Sequence, residues 1–216
     1  MISRRSFIVA GAALTYARGA QAGLPVPPDR RIAFDLIRHG SSIGTHTLEF
    51  RADGDTLLVD IAVQVHVNFG PIPIAHYVHH GRETWSGDRL VGVQSRTDRN
   101  GRQLTMAATM NSQGLSVQGS GTSPYIAPRD AYASTYWRKA SLFGPLIGIQ
   151  DGTLNRPSIV EPGVEPVRLA SGAQTRAQRY KLSGDMNVEV WYDESDAWVG
   201  MRFEVDDGSQ ITYARV

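Results

Sequence analysis

Between Thr56 and Phe69 the chain reads TLLVDIAVQVHVNF. Leu57, Val59, Ile61, Val63, Val65, Val67 and Phe69 fall on one side of a two-residue period. Leu58, Asp60, Ala62, Gln64, His66 and Asn68 fall on the other. Such alternation predicts a β-strand with one dry and one wet face. Gly70-Pro71 then turns the chain back through IAHYVHHGRET. If partners sum to residue number 142, Asp60 lies opposite Arg82 and His66 opposite His76. Val65 then meets Tyr77, and Val63 meets His79. Opposite charges pair and most apolar residues share a face, so the register is the one a long hairpin would choose.

Turn signals recur at Asp53-Gly54, Ser86-Gly87-Asp88, Asn100-Gly101, Gln113-Gly114 and Asp207-Gly208. Each separates two strand-like runs, which predicts a series of antiparallel hairpins. At the end of the chain, a three-residue loop at Asp206-Asp207-Gly208 sets Phe203 against Ile211 and Met201 against Tyr213. From about 119 to 172 the alternation fails and Gly and Pro are frequent. Within this insertion PRDAYASTYWRKASLF has Pro near its start and Gly144 after its end, a pattern that predicts one helix from Ala131 or Tyr132 to Leu142. The fold expected is mainly β. One curved antiparallel sheet, a half-barrel or barrel, wraps around that short helical segment. The domain runs from 30 to 216, after a linker at 23–29.

The first 22 residues have another pattern. Arg4 and Arg5 precede an apolar run from Phe7 to Tyr16, and Ala20-Gln21-Ala22 has the form of a signal-peptidase site. This is an export signal of the twin-arginine type, cleaved after Ala22, and it places the mature protein in the periplasm or outside the cell. The apolar run is shorter than the roughly 20 residues a membrane helix needs, and no later stretch is longer. No transmembrane segment is expected.

Charge and composition narrow the partners. The chain has 22 Lys and Arg against 21 Asp and Glu, and the leader carries three of the arginines. A near-neutral mature chain gives no electrostatic reason to bind nucleic acid. The absence of cysteine excludes disulfides, thiolate zinc sites and iron–sulfur clusters. No nucleotide-binding loop or nucleophile elbow is present, so no cofactor is expected.

Several segments together resemble a family. The twin-arginine leader is one, with Trp85-Ser86-Gly87-Asp88-Arg89-Leu90 and Ser134-x-x-Trp137. The most specific is the closing block: Ser183-Gly184-Asp185, Trp191-Tyr192-Asp193, Trp198-Val199-Gly200, Phe203 and Asp207-Gly208-Ser209-x-Ile211-x-Tyr213. These are similar to exported bacterial proteins grouped as domain of unknown function 6134. The resemblance covers most of the mature chain. It implies an exported β-rich domain and brings no catalytic residues with it. The expected shape is also similar to periplasmic lipoprotein-carrier half-barrels, a likeness of fold that does not fix function.

Candidate chemistry is sparse. His76 and His80 share a strand face but stand roughly 13 Å apart, too far to bind one metal ion. His66 and His76 form the one pair that can hold zinc or copper, if a third ligand arrives from a neighbouring strand; two solvent-facing histidines on a wet face explain the same letters. Asp185, Glu189 and Asp193 lie close in sequence, yet four residues along a strand overshoots the spacing of a glycosidase acid pair, and turn roles account for Asp185 and Asp193. Gly40-Ser41-Ser42 and Gly119-Ser120-Gly121 are ordinary loop sequences. Among the aromatic residues, Tyr132, Tyr136 and Trp137 sit together on the expected helix, where they either line an apolar site or fill the core. The leading expectation is a non-enzymatic binding or carrier protein for an apolar, lipid-like ligand held by these three. The alternatives are an envelope structural or partner-binding protein with a filled core, and a metal-dependent hydrolase using His66 and His76.

Overall fold

A computed structural model of the chain describes residues 24–69 and 72–216. The expected leader, its expected cleavage after Ala22 and the Gly70-Pro71 turn lie outside the described residues. Of the expected linker, Leu24 and Val26 rest against the hydrophobic core.

The first block of strands is β1 (Arg31–Arg38), β2 (Ser41–Asp53), β3 (Thr56–Phe69), β4 (Ile72–Ser86), β5 (Arg89–Arg99), β6 (Arg102–Met110), β7 (Leu115–Gly119) and β8 (Thr122–Ala127). The insertion carries β9 (Tyr132–Ala133), β10 (Leu146–Ile147) and β11 (Leu154–Asn155). Then come β12 (Ser158–Arg168), β13 (Gln174–Ser183), β14 (Val188–Tyr192), β15 (Trp198–Glu204) and β16 (Gln210–Arg215). All but the insertion's strands join one antiparallel sheet of 13. Its order is β12 to β16 in sequence, then β1 to β8, because β16 pairs with β1. Every other neighbour in it is a hairpin partner, which keeps the sheet a simple meander. The sheet is not closed: β8 and β12 are its edges.

The register of the long hairpin is the one the sequence requires. Asp60 pairs with Arg82, Val63 with His79, Val65 with Tyr77 and His66 with His76. Phe203 pairs with Ile211 and Met201 with Tyr213. Asn100 and Gly101 both take positive φ (53° and 83°), the conformation a two-residue hairpin turn needs and that Asn-Gly adopts most readily.

The dry faces of distant strands meet in one core. It draws Phe34 from β1, Leu48 from β2, Val59 from β3, Leu90 from β5, Val117 from β7, Leu182 from β13 and Trp198 from β15. Only a curled sheet can bring these together. At one rim the curl carries Arg99, at the end of β5, to 3.3 Å from Asp206 beside β16.

The interior is plugged by the insertion, but not by an α-helix. The segment from Ala131 to Leu142 contains the two-residue strand β9, a turn, and the start of a 3-10 helix at Lys139–Phe143. Two causes override the helical pattern. Tyr132 N–H donates to Pro145 and Ser134 N–H to Ile147, so the backbone pairs with β10 instead of with itself. β9 and β10 run parallel, Tyr132 beside Leu146 and Ala133 beside Ile147. Tyr136 takes φ 62°, which ends any right-handed turn. The far end of the insertion docks on the β7–β8 turn, where Gly121 N–H donates to Asp151 O at 2.9 Å. A side chain at Gly119 would meet that same carbonyl at 2.0 Å, so only glycine permits the approach.

Candidate functional site

Odd-numbered residues of β4 face the interior, and this alternation brings in Tyr77, His79, Gly81, Glu83 and Trp85. Glu83 is fully buried. Its Oε2 accepts the indole N–H groups of Trp85 and Trp137, each at 2.8 Å, and its Oε1 accepts the Thr135 hydroxyl at 2.6 Å. Burial raises its pKa above the usual 4.5, while these three donors pull the other way. One carboxyl thus ties two residues of the insertion to the sheet.

The three aromatics expected to hold a ligand are spent on protein neighbours. Trp137 packs edge-on against Phe50 and Trp85, at 5.1 and 5.3 Å between ring centres. Tyr132 stacks on Trp85, and the Arg138 guanidinium lies over both rings. Tyr136 packs on Trp198, and its carbonyl accepts the Tyr192 hydroxyl at 2.6 Å. Trp191 sits on the opposite face of the sheet, with its N–H on Glu165 and Arg202 over its ring.

His46 and His79 form a second interior group. Each pairs with Val63 across a neighbouring strand, one on either side, so both point inward along the same lateral row. His46 is enclosed by Phe34, Trp198 and Tyr213, and neither ring nitrogen has a protein partner. His79 lies against Gly81, whose missing side chain leaves it room, and shares a 2.8 Å hydrogen bond between Nδ1 and Thr97. Burial, with a smaller repulsion from His79, lowers His46 to about 3; burial, with a smaller contribution from His80, lowers His79 to about 4. Strand alternation turns His79 away from His76 and His80, while His46 is not among the candidates read from the sequence. The same alternation, extended to β2 through Leu48 and Phe50, would have found it.

On the outer face His66 and His76 meet as the register requires, with ring centres 4.8 Å apart. Among the described residues no three or more His, Asp or Glu side chains group to hold a metal ion. The acids of the closing block serve the fold. Asp185 accepts the Arg156 N–H, Glu189 pairs with Arg202, and Asp193 caps the turn at Ser195 and Ala197.

The outer face also carries an open groove of about 1100 Å³ across β2 to β7. Ala62 and Ala107 contribute to its floor. Glu49 and Asp60 line the β2–β3 side; Arg82, Gln94 and Arg96 line the β4–β5 side; Thr105, Gln118 and Ser120 complete it. Asp60 is already engaged, 2.5 Å from Arg82 and 3.6 Å from Arg51. Glu49 and Arg96 are exposed, and neither makes an ion pair among the described residues. The groove was not legible as a site: its parts come from six strands, and each part is an ordinary wet-face residue.

The pattern that defines the family described as "Domain of unknown function (DUF6134)" matches residues 34–216. No protein of curated description matches the chain. The fold is similar to that of a solved β-barrel-like protein of the domain of unknown function DUF1849 from Brucella abortus, with a TM-score of 0.54 and 11% identity over 86% of this chain and 94% of that one. At that identity the likeness concerns the fold alone.

Proposed function

The chain belongs to the DUF6134 family, and on that footing we propose that it is an exported, non-enzymatic binding protein of the cell envelope whose recognition surface is the outer groove. The Arg4-Arg5 leader supports the envelope location. The observation that carries the binding reading is Glu49 on β2 and Arg96 on β5, exposed along a groove with a small-residue floor and with no ion pair among the described residues. Three strand spacings and one row separate them, roughly 15 Å. That span suits an extended polar ligand with a cationic and an anionic end, such as a peptide of about four residues. The amides and hydroxyls of Gln94, Gln118, Thr47 and Thr105 would meet its backbone.

The apolar-carrier reading, with Tyr132, Tyr136 and Trp137 around a lipid-like ligand, stands second. It requires the insertion to lift away, because those rings now contact Phe50, Trp85 and Trp198. In its favour, the insertion's three strands form a sheet of their own and are not part of the main ladder.

Titration of the isotope-labelled mature protein with zwitterionic tetrapeptides tests the first reading. Amide shifts are expected along β2 to β7, and Glu49→Gln with Arg96→Gln should abolish them. Shifts confined to the insertion, or none with any peptide, would overturn it.

A further inference from the structure

We propose that His66 and His76 form a bidentate site for a divalent transition-metal ion, Cu²⁺ above all, on the outer face of the β3–β4 hairpin. The two are direct cross-strand partners, and their rings lie 4.8 Å apart at 60° to one another. Once each ring turns one nitrogen toward a shared point, an ion about 2.0–2.1 Å from both nitrogens stands roughly 3.2 Å from each ring centre. Two centres 4.8 Å apart then subtend roughly 100° at the metal, which suits two adjacent positions of a tetragonal or tetrahedral shell. Water fills the remaining positions, since no third His, Asp or Glu groups with the pair among the described residues.

One partner is held in place by the next strand. Asn100 Oδ1 accepts the His76 N–H at 2.8 Å, and Asn100 N–H donates to the His76 carbonyl at 2.8 Å. The His76 N–H and carbonyl are therefore both held by Asn100 before any ion arrives, which reduces the ordering that binding must impose. Imidazole with water is a donor set that favours Cu²⁺ over the other divalent ions of the first row. His80, on the same strand face, is too far along to join the pair.

The test is a calorimetric titration of the mature, tag-free protein with Cu²⁺ alone, followed by electron paramagnetic resonance of the loaded protein. One saturable equivalent with two nitrogen couplings is expected. His66→Gln and His76→Gln should each weaken binding by about a hundredfold, the advantage that a second tethered ligand confers. His39→Gln and His80→Gln should leave it unchanged. Both histidines of the pair are at least partly exposed, so the variants should fold, and near-ultraviolet dichroism confirms that they do. Absence of saturable binding would overturn the proposal, as would affinity that survives either substitution at the pair.

Discussion

Trp137 donates its indole N–H to Oε2 of Glu83 at 2.8 Å, across 54 positions of sequence. That bond, with the one from Thr135, fastens the insertion inside the curled sheet. Glu83→Ala leaves three buried donors without an acceptor and opens a cavity, so it should cost about 3 kcal/mol or more. Glu83→Gln keeps an acceptor and should cost about 1 kcal/mol or less near pH 4.5. The pH dependence separates the two effects. Because burial raises this carboxyl, the folded state holds its proton more tightly than the unfolded chain, and stability falls as pH rises from 4.5 through the raised value. Glu83→Gln should remove that fall. Urea midpoints of the three proteins at pH 4.5 and 8 measure it, and equal midpoints for the Ala and Gln variants would contradict this account.

The buried histidines act in the opposite sense. His46 is lowered to about 3 and His79 to about 4, so both stay neutral in the folded protein while the unfolded chain begins to protonate near 6.5. Their contribution is complete above 6.5 and is lost as pH falls toward those values. At pH 4.5 each should have withdrawn about 2–3 kcal/mol. In the Glu83→Gln background, which removes the opposing effect, denaturation at pH 7 and 4.5 should show the loss, and His46→Phe with His79→Leu should flatten it. A wild-type-like slope in that double replacement would assign acid sensitivity elsewhere.

The proposed leader makes a separate prediction. A sheet whose first and last strands in sequence, β1 and β16, are neighbours is completed only after the whole chain exists, and such non-local pairing is slow and exposes strand edges. Folding before export would shelter it. Replacing Arg4 and Arg5 by Lys should leave folded precursor in the cytoplasm. Unchanged export by fractionation and immunoblotting would point to transport of the unfolded chain.

The hairpin was legible because its signals are local and mutually consistent. The Asp60–Arg82 charges, the apolar phase of Val63 and Val65, and the Asn100-Gly101 turn all select one register. The insertion was not. Its aromatic spacing mimics a helix, yet Tyr132 and Ala133 pair with residues fourteen places on, and Thr135 and Trp137 answer to Glu83. Those partners are set by the curl of the sheet, which no local pattern encodes. The groove is hidden for the same reason: Glu49 and Arg96 have meaning only together, and three strand spacings separate them.

Native mass spectrometry of the protein, isolated from the cell envelope where the proposal puts it, tests the central proposal most directly. Wild-type protein should carry a small polar species that is absent after Ala62→Trp and Ala107→Trp fill the groove floor. A lipid-like species that persists in the groove-filled variant would contradict the account and move the site to the interior around Tyr132, Tyr136 and Trp137.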